Sequence, residues 1–258
     1  MSVRYVGVDE AVARSGLRMV VVGGVPSLWS EAAKAILHIK GIPWVAVRLA
    51  YDSEALKQWA GQRSAPVVVF GDEEPRSGWR EILALAERLA PTPALLPADA
   101  DARARAQVLE LSEQICDPGG LGWTRRLQLI HAGLNGAGGF AERVAAYLGK
   151  KYGYTPEAGA AAGATVVTLL GRLATALTAQ RDAGMDYFVG DALTAADVYA
   201  AAVIAMFCPL PQAQCPMDEG TRAAFETLDA QTAAALAPVL LEHRDMMYAR
   251  HLELPLSL

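Results

Sequence analysis

The stretch "GGVPSLWSEAA", residues 23–33, places two hydroxyls, Ser27 and Ser30, at the entrance to a helix that follows an apolar strand. The first turn of a helix exposes unpaired N–H groups and the positive end of its dipole, so a hydroxyl there can help to stabilise an anion. The structural alternative for Ser27 is plain helix capping, a role serine fills routinely. Other chemistries are poorly supplied. His38, His131, His243 and His251 show no metal spacing, and Cys116, Cys208 and Cys215 fit neither a zinc site nor a disulfide framework. No thiol occurs before Cys116. The glycine-rich "GLNGAGGF", residues 133–140, lacks the lysine of a phosphate loop and reads as a helix break.

The elements that must position these hydroxyls can be read from periodicity. "LRMVVVGG" is a short strand ended by glycines, and "SLWSEAAKAILHIKG" carries Trp29, Ala32, Ala33, Ile36 and Leu37 at helical spacing with Gly41 as its stop. "PWVAVRL" alternates as a strand, "SEALKQWAG" reads as a short helix, and "PVVVF" is a third apolar strand. Gly71-Asp72 turns the chain towards a short fourth strand, and residues 77–90 form a helix. The proline-rich run 91–98 is a linker. Beyond it strand signals vanish, and residues 101–116, 122–150, 155–184, 194–207 and 221–249 read as helix. The division expected is an N-terminal extension (1–16), an α/β domain (17–90), the linker (91–98) and an all-helical domain (99–258).

Two features are specific. Pro66 opens the third strand, where proline is tolerated as a first residue, and a cis Ala65–Pro66 bond is a second reading. "YFVGDALTAADVYAAA", residues 187–202, contains a capping box between Thr194 and Asp197, with Leu193 and Val198 at the staple positions. That box nucleates a buried helix and carries no chemistry.

The order β-α-β-α-β-β-α with a proline before the third strand resembles a thioredoxin-like domain. With the helical half and the segment "GDALTAAD", residues 190–197, the chain resembles the cytosolic glutathione transferases over about residues 17 to 250. The resemblance implies a mixed four-stranded thioredoxin-like sheet domain, an all-α helical bundle, a cis-proline at Pro66 and a homodimer.

It also implies a site. Glutathione would be the co-substrate, activated as a thiolate by a hydroxyl after the first strand, Ser27 or alternatively Ser30. Ala65 would pair its backbone with the cysteinyl part, next to Pro66, and Gln62 or Arg63 would reach the glycyl carboxylate. Where the family usually shows an acid followed by serine, this chain has "EEPRSGWREI"; Arg76, Ser77 and Gly78 would hold the γ-glutamyl carboxylate, and Glu74 or Glu81 would replace the acid. Trp29, Trp123 and Arg126 would line the pocket for a small hydrophobic electrophile, unless Trp123 is core and Arg125 and Arg126 form a solvated face.

The whole chain sets outer limits. It has 258 residues, 53% apolar and 20% charged, with net charge −5. That is ample for two small domains and argues against a nucleic-acid groove. No run reaches the roughly 18 uncharged apolar residues of a membrane span, residues 195–211 coming closest, and no signal peptide is evident. A cytoplasmic protein without membrane, nucleic-acid or metal partner is expected. Two functions follow: a serine-type glutathione transferase, or a transferase-like protein that has lost catalysis and carries apolar ligands or contacts protein partners.

Overall fold

The computed structural model describes residues 4–258; Met1 to Val3, part of the expected extension, lie outside the described residues. The N-terminal part alternates β1 (Tyr5–Val6), α1 (Val8–Val12), β2 (Leu17–Val21), α2 (Leu28–Ile39), β3 (Trp44–Arg48), α3 (Glu54–Ala60), β4 (Val67–Phe70) and α4 (Trp79–Leu89). The sheet order is β1-β3-β2-β4, with β1 and β2 parallel to β3 and β4 antiparallel to β2. β2 is buried at every position, as a central strand covered on both faces must be.

The fourth strand differs from the sequence expectation. After Gly71-Asp72 the chain makes only one bridge, between Val68 and Arg76, each donating its N–H to the other's carbonyl at 2.8 and 2.9 Å. Pro75 precedes that bridge and has no N–H to extend it, and the α4 cap follows at once. The fourth strand of the sheet is instead Tyr5–Val6, so residues expected as an extension supply an edge strand and the helix α1.

Eight helices follow: α5 (Ala102–Cys116), α6 (Leu121–Leu134), α7 (Glu142–Tyr152), α8 (Pro156–Asp182), α9 (Ala195–Ile204), α10 (Glu219–Glu226), α11 (Ala230–Ala235) and α12 (Pro238–Arg250). The expected helix 122–150 is split at 135–141. There Gly139 has φ +73° and a Cβ on it would collide with the Leu129 carbonyl, so the chain can double back only with glycine. The expected helix 221–249 is three pieces, because Asp218 and Asp229 cap new starts and Pro238 opens a third. α8, not 195–211, is long and apolar enough by composition alone to cross a bilayer; here its Val166, Leu169, Leu170, Leu173 and Leu177 are buried in the helical core.

One sheet face packs a small core of Val6, Ala11, Val20, Val47, Leu56 and Val67 under α1 and α3. The other packs α2 and α4 into a core continuous with the helical part. Lys40, at the end of α2, fastens the linker there: its ammonium donates to the Ala90 and Pro93 carbonyls at 2.8 Å and pairs with Glu87 at 3.0 Å. Leu95 donates to Glu87 and accepts from Ala195 at the start of α9, both at 2.8 Å. α2 and α4 are therefore held between sheet and helices, and the candidate site lies at their N-termini.

Candidate functional site

Ser27 is the N-cap of α2, with extended backbone (φ −79°, ψ 122°), and its carbonyl accepts from Glu31 N–H at 2.8 Å. Its hydroxyl makes no capping hydrogen bond, and the residue is 7% exposed. Ser30 is fully buried, and its Oγ has no hydrogen-bond partner. The N-terminus of α2 is roofed by α6: a Cβ on Gly122 would collide with the Leu28 side chain and lie 3.2 Å from the Ile115 carbonyl. That close approach explains a glycine in the first turn of α6.

The Ala65–Pro66 peptide is cis, as are Thr92–Pro93 and Leu254–Pro255. Pro66 joins Trp29, Ala33, Ile36, Ser77, Trp79, Ile82 and Tyr199 around a narrow cleft of about 10 Å³, room for roughly one water. The structure thus brings three of the sequence-derived residues, Trp29, Pro66 and Ser77, to one cleft. Ala65, Gln62 and Arg63 are half-buried in the loop before it. Arg63 is paired with Glu54 at 2.9 Å, and Ser64 accepts from Lys151 of α7 at 3.1 Å, which binds this loop to the helical part.

The start of α4 carries the largest surprise. Gly78 is its N-cap, and Glu81 Oε2 accepts from the Ser77 and Gly78 amides at 3.3 and 3.2 Å. The helix N-terminus is thereby covered by the chain's own carboxylate, the usual position for a stabilising anion. Arg76 turns away to Glu73 at 2.6 Å, and Arg88 holds the same carboxylate at 2.7 Å. These two arginines keep Glu73 below the usual carboxylate range, Arg88 contributing most. Arg76, expected to reach a ligand carboxylate, is committed to an internal pair.

Trp79 was not singled out from the sequence. Its indole donates to Asp117 Oδ1 at 2.6 Å and meets Tyr199 edge-on at 5.4 Å, while Arg80 lies over its ring and pairs with Glu113. These contacts weld the start of α4 to the end of α5 and narrow the cleft. Nothing in the sequence marked a residue whose partner lies 38 positions on.

On the helical side, Trp29 stacks on Tyr152 (6.0 Å, 30°), and Trp123 meets Tyr152 edge-on at 4.7 Å. Trp29 Nε1 donates to the Cys116 carbonyl at 3.1 Å. Arg125 and Arg126 are buried, 1% and 5% exposed, so the solvated-face reading is corrected. Their turn of α6 packs inward, with the Arg125 guanidinium 4.6 Å from the ring of Phe207, just past α9, and that of Arg126 5.2 Å from Phe225 of α10. Burial and the neighbouring Arg126 push Arg125 down to about 9.

The segment at α9 is held by one buried carboxylate. Asp197 accepts from the Thr194 N–H at 2.9 Å and its hydroxyl at 2.7 Å, from Phe188 N–H at 2.9 Å, and lies 3.0 Å from His243 Nε2. Leu193 and Val198 pack beside it.

No protein-family model matches the chain, and no curated protein matches it by sequence. Solved structures do. A glutathione transferase family member from Pseudomonas fluorescens Pf-5, with two glutathione bound, superposes with TM-score 0.62 at 15% identity, covering 94% of each chain. A glutathione S-transferase from Methylobacterium radiotolerans, in complex with glutathione sulfonate, gives 0.54 at 23% identity over 92% of each chain. The β-etherase LigF from Sphingobium sp. strain SYK-6 gives 0.56 at 17% identity, over 90% of this chain and all of its own. Read with the sheet order and the helical remainder, these superpositions establish that the chain has the cytosolic glutathione transferase fold.

Proposed function

We propose that the protein binds glutathione and transfers it to a hydrophobic electrophile, with the Ser27 hydroxyl and the N-terminus of α2 stabilising the thiolate. The observation that supports this is the unspent hydroxyl of Ser27: it stands at a helix N-cap yet makes no capping bond. The burial of Ser30 favours Ser27 over it. In this reading the thiol proton leaves to solvent, the sulfur forms a bond to the electrophilic carbon, and that carbon releases its leaving group. Ala65 pairs its backbone with the cysteinyl part beside Pro66, and the glycyl carboxylate is met by Gln62 or by Arg63 released from Glu54. Lowering a thiol from about 8.5 by two units needs about 2.7 kcal/mol, within reach of one hydroxyl bond plus a helix terminus.

A second reading has its own observation. Glu81 already occupies the α4 amides, and the cleft holds about one water, which favours a transferase-like protein without catalysis. The two readings separate in one experiment: the pH titration of thiolate absorbance of bound glutathione, in wild type and in Ser27→Ala. The enzyme reading expects a wild-type thiol at least about one unit below the free value, restored in the variant. An unshifted thiol in wild type would establish the second reading instead.

A further inference from the structure

Arg125 and Arg126 are neighbours in sequence and both buried, but they are provided for very differently. Arg125 spends its donors on the carbonyls of Met206 (3.4 Å), Phe225 (2.9 Å) and Thr227 (2.8 Å) and on Gln128 Oε1 (2.7 Å). It is an internal strut, closing the end of α10. Arg126 hydrogen-bonds the Tyr152 side chain and no carboxylate acts on it, while its buried Nε has no hydrogen-bond partner. Its guanidinium lies over the rings of Phe140 (5.5 Å) and Phe225 (5.2 Å), with the Tyr152 hydroxyl beside it. One donor of this buried cation is therefore left without an acceptor, which is unfavourable unless a ligand supplies one.

The groups around Arg126 complement an anion. Tyr152 of α7 and Tyr51 in the loop after β3 both act on it electrostatically, Tyr152 also through a side-chain hydrogen bond. Lys151 adds a second cation close enough for Arg126 to depress it, burial being the larger cause. Asp229 acts on the neighbouring Arg125 and is itself engaged by Gln128 and Thr232. A row of rings leads from this cluster to the catalytic end: Tyr152 lies against Trp123 and Trp29, and Trp29 is two positions from Ser27. On the other side Tyr51 meets Tyr147 edge-on at 5.3 Å, each 47% exposed, which continues the row to the surface.

We propose that Arg126 is the anion-binding end of the electrophile site, and that the electrophile is an aromatic compound bearing a carboxylate. The carboxylate takes the unpartnered Nε–H of Arg126 together with the Tyr51 and Tyr152 hydroxyls, a charge-assisted contact. The ring lies along Trp29, Trp123 and Tyr152, which places the reactive carbon towards α2. Treating this ligand as the substrate rests on the glutathione-dependent function proposed above; the binding of the anion does not.

The test compares 4-nitrobenzoate with its neutral isostere 4-nitrobenzamide, by quenching of tryptophan fluorescence in the full-length protein, alongside a glutathione titration of the same sample. The expected result is benzoate bound at least about tenfold more tightly than the amide, equivalent to about 1.4 kcal/mol. That preference should vanish in Arg126→Met and fall about threefold in Tyr51→Phe, a change at a half-exposed position that removes only a hydroxyl. Equal binding of the two probes by wild type, no binding of either, or a preference that survives in folded Arg126→Met overturns the proposal. Should Arg126→Met fail to fold, an unchanged preference in Tyr51→Phe overturns it. Benzoate preference without glutathione binding would sink the function proposed above and leave this site standing; glutathione binding without the preference would sink this site alone.

Discussion

The carboxylate of Glu81 accepts from the Gly78 amide at 3.2 Å and so fills the helix N-terminus proposed to receive the γ-glutamyl carboxylate. Gly78 has no side chain to cap the helix itself, so the acid three residues on takes over. The consequence is competition: a ligand carboxylate must displace Glu81 or bind elsewhere. Glu81→Ala is therefore expected to bind glutathione roughly fivefold more tightly while losing about 1 kcal/mol of stability. Calorimetry and denaturant melts check the two effects. Weaker binding in the variant would mean that Glu81 meets the ligand's ammonium rather than excluding its carboxylate.

Ser30 buries a hydroxyl that bonds to nothing. Replacing such a group removes an unpaid desolvation penalty, so Ser30→Ala should leave stability unchanged or raise it by about 1 kcal/mol. A loss above 1 kcal/mol in chemical denaturation would show that the hydroxyl has a partner after all.

Asp197 satisfies two donors of Thr194, the Phe188 amide and His243 in a fully buried setting. Asp197→Ala should cost about 3 to 5 kcal/mol, since it strands buried donors from two segments. A melting curve within 1 kcal/mol of wild type would contradict that.

The thiols should be inert towards the chemistry proposed. Burial raises Cys116 well above its usual range and pushes Cys215 up to about 11. Only the thiolate reacts with iodoacetamide, so native protein at pH 8 should be labelled first at Cys208, the one partly exposed thiol. Labelling of Cys116 or Cys215 at a comparable rate, read by peptide mass, would show that these segments open.

What could be read in the sequence was local. The Thr194–Asp197 pair lies three residues apart on one helix start, and the glycines at 133–139 announce their own break. Ser27 could be placed at a helix entrance, but not whether its hydroxyl was spent on capping. The splitting of 221–249 was also written locally, in Asp218, Asp229 and Pro238, and went unread because the Ala-rich composition outweighed the caps. The rest depends on distant partners. The two-residue strand Tyr5–Val6 exists only because β3 receives it, a pairing across about 40 positions that no periodicity in two residues can carry. Trp79 and Asp117 likewise meet from separate elements. Glu81 was readable as an acid near the right place, but its inward turn follows from Gly78 holding the N-cap.

The proposed function requires glutathione to bind with its thiol beside Ser27, despite Glu81 and the narrow cleft. Calorimetric titration of the full-length protein with glutathione, in wild type and in Ser27→Ala, tests it most directly. Saturable heat is expected in both proteins, with more proton release on binding to wild type near pH 7 because its bound thiol is deprotonated. No saturable heat in wild type would contradict it.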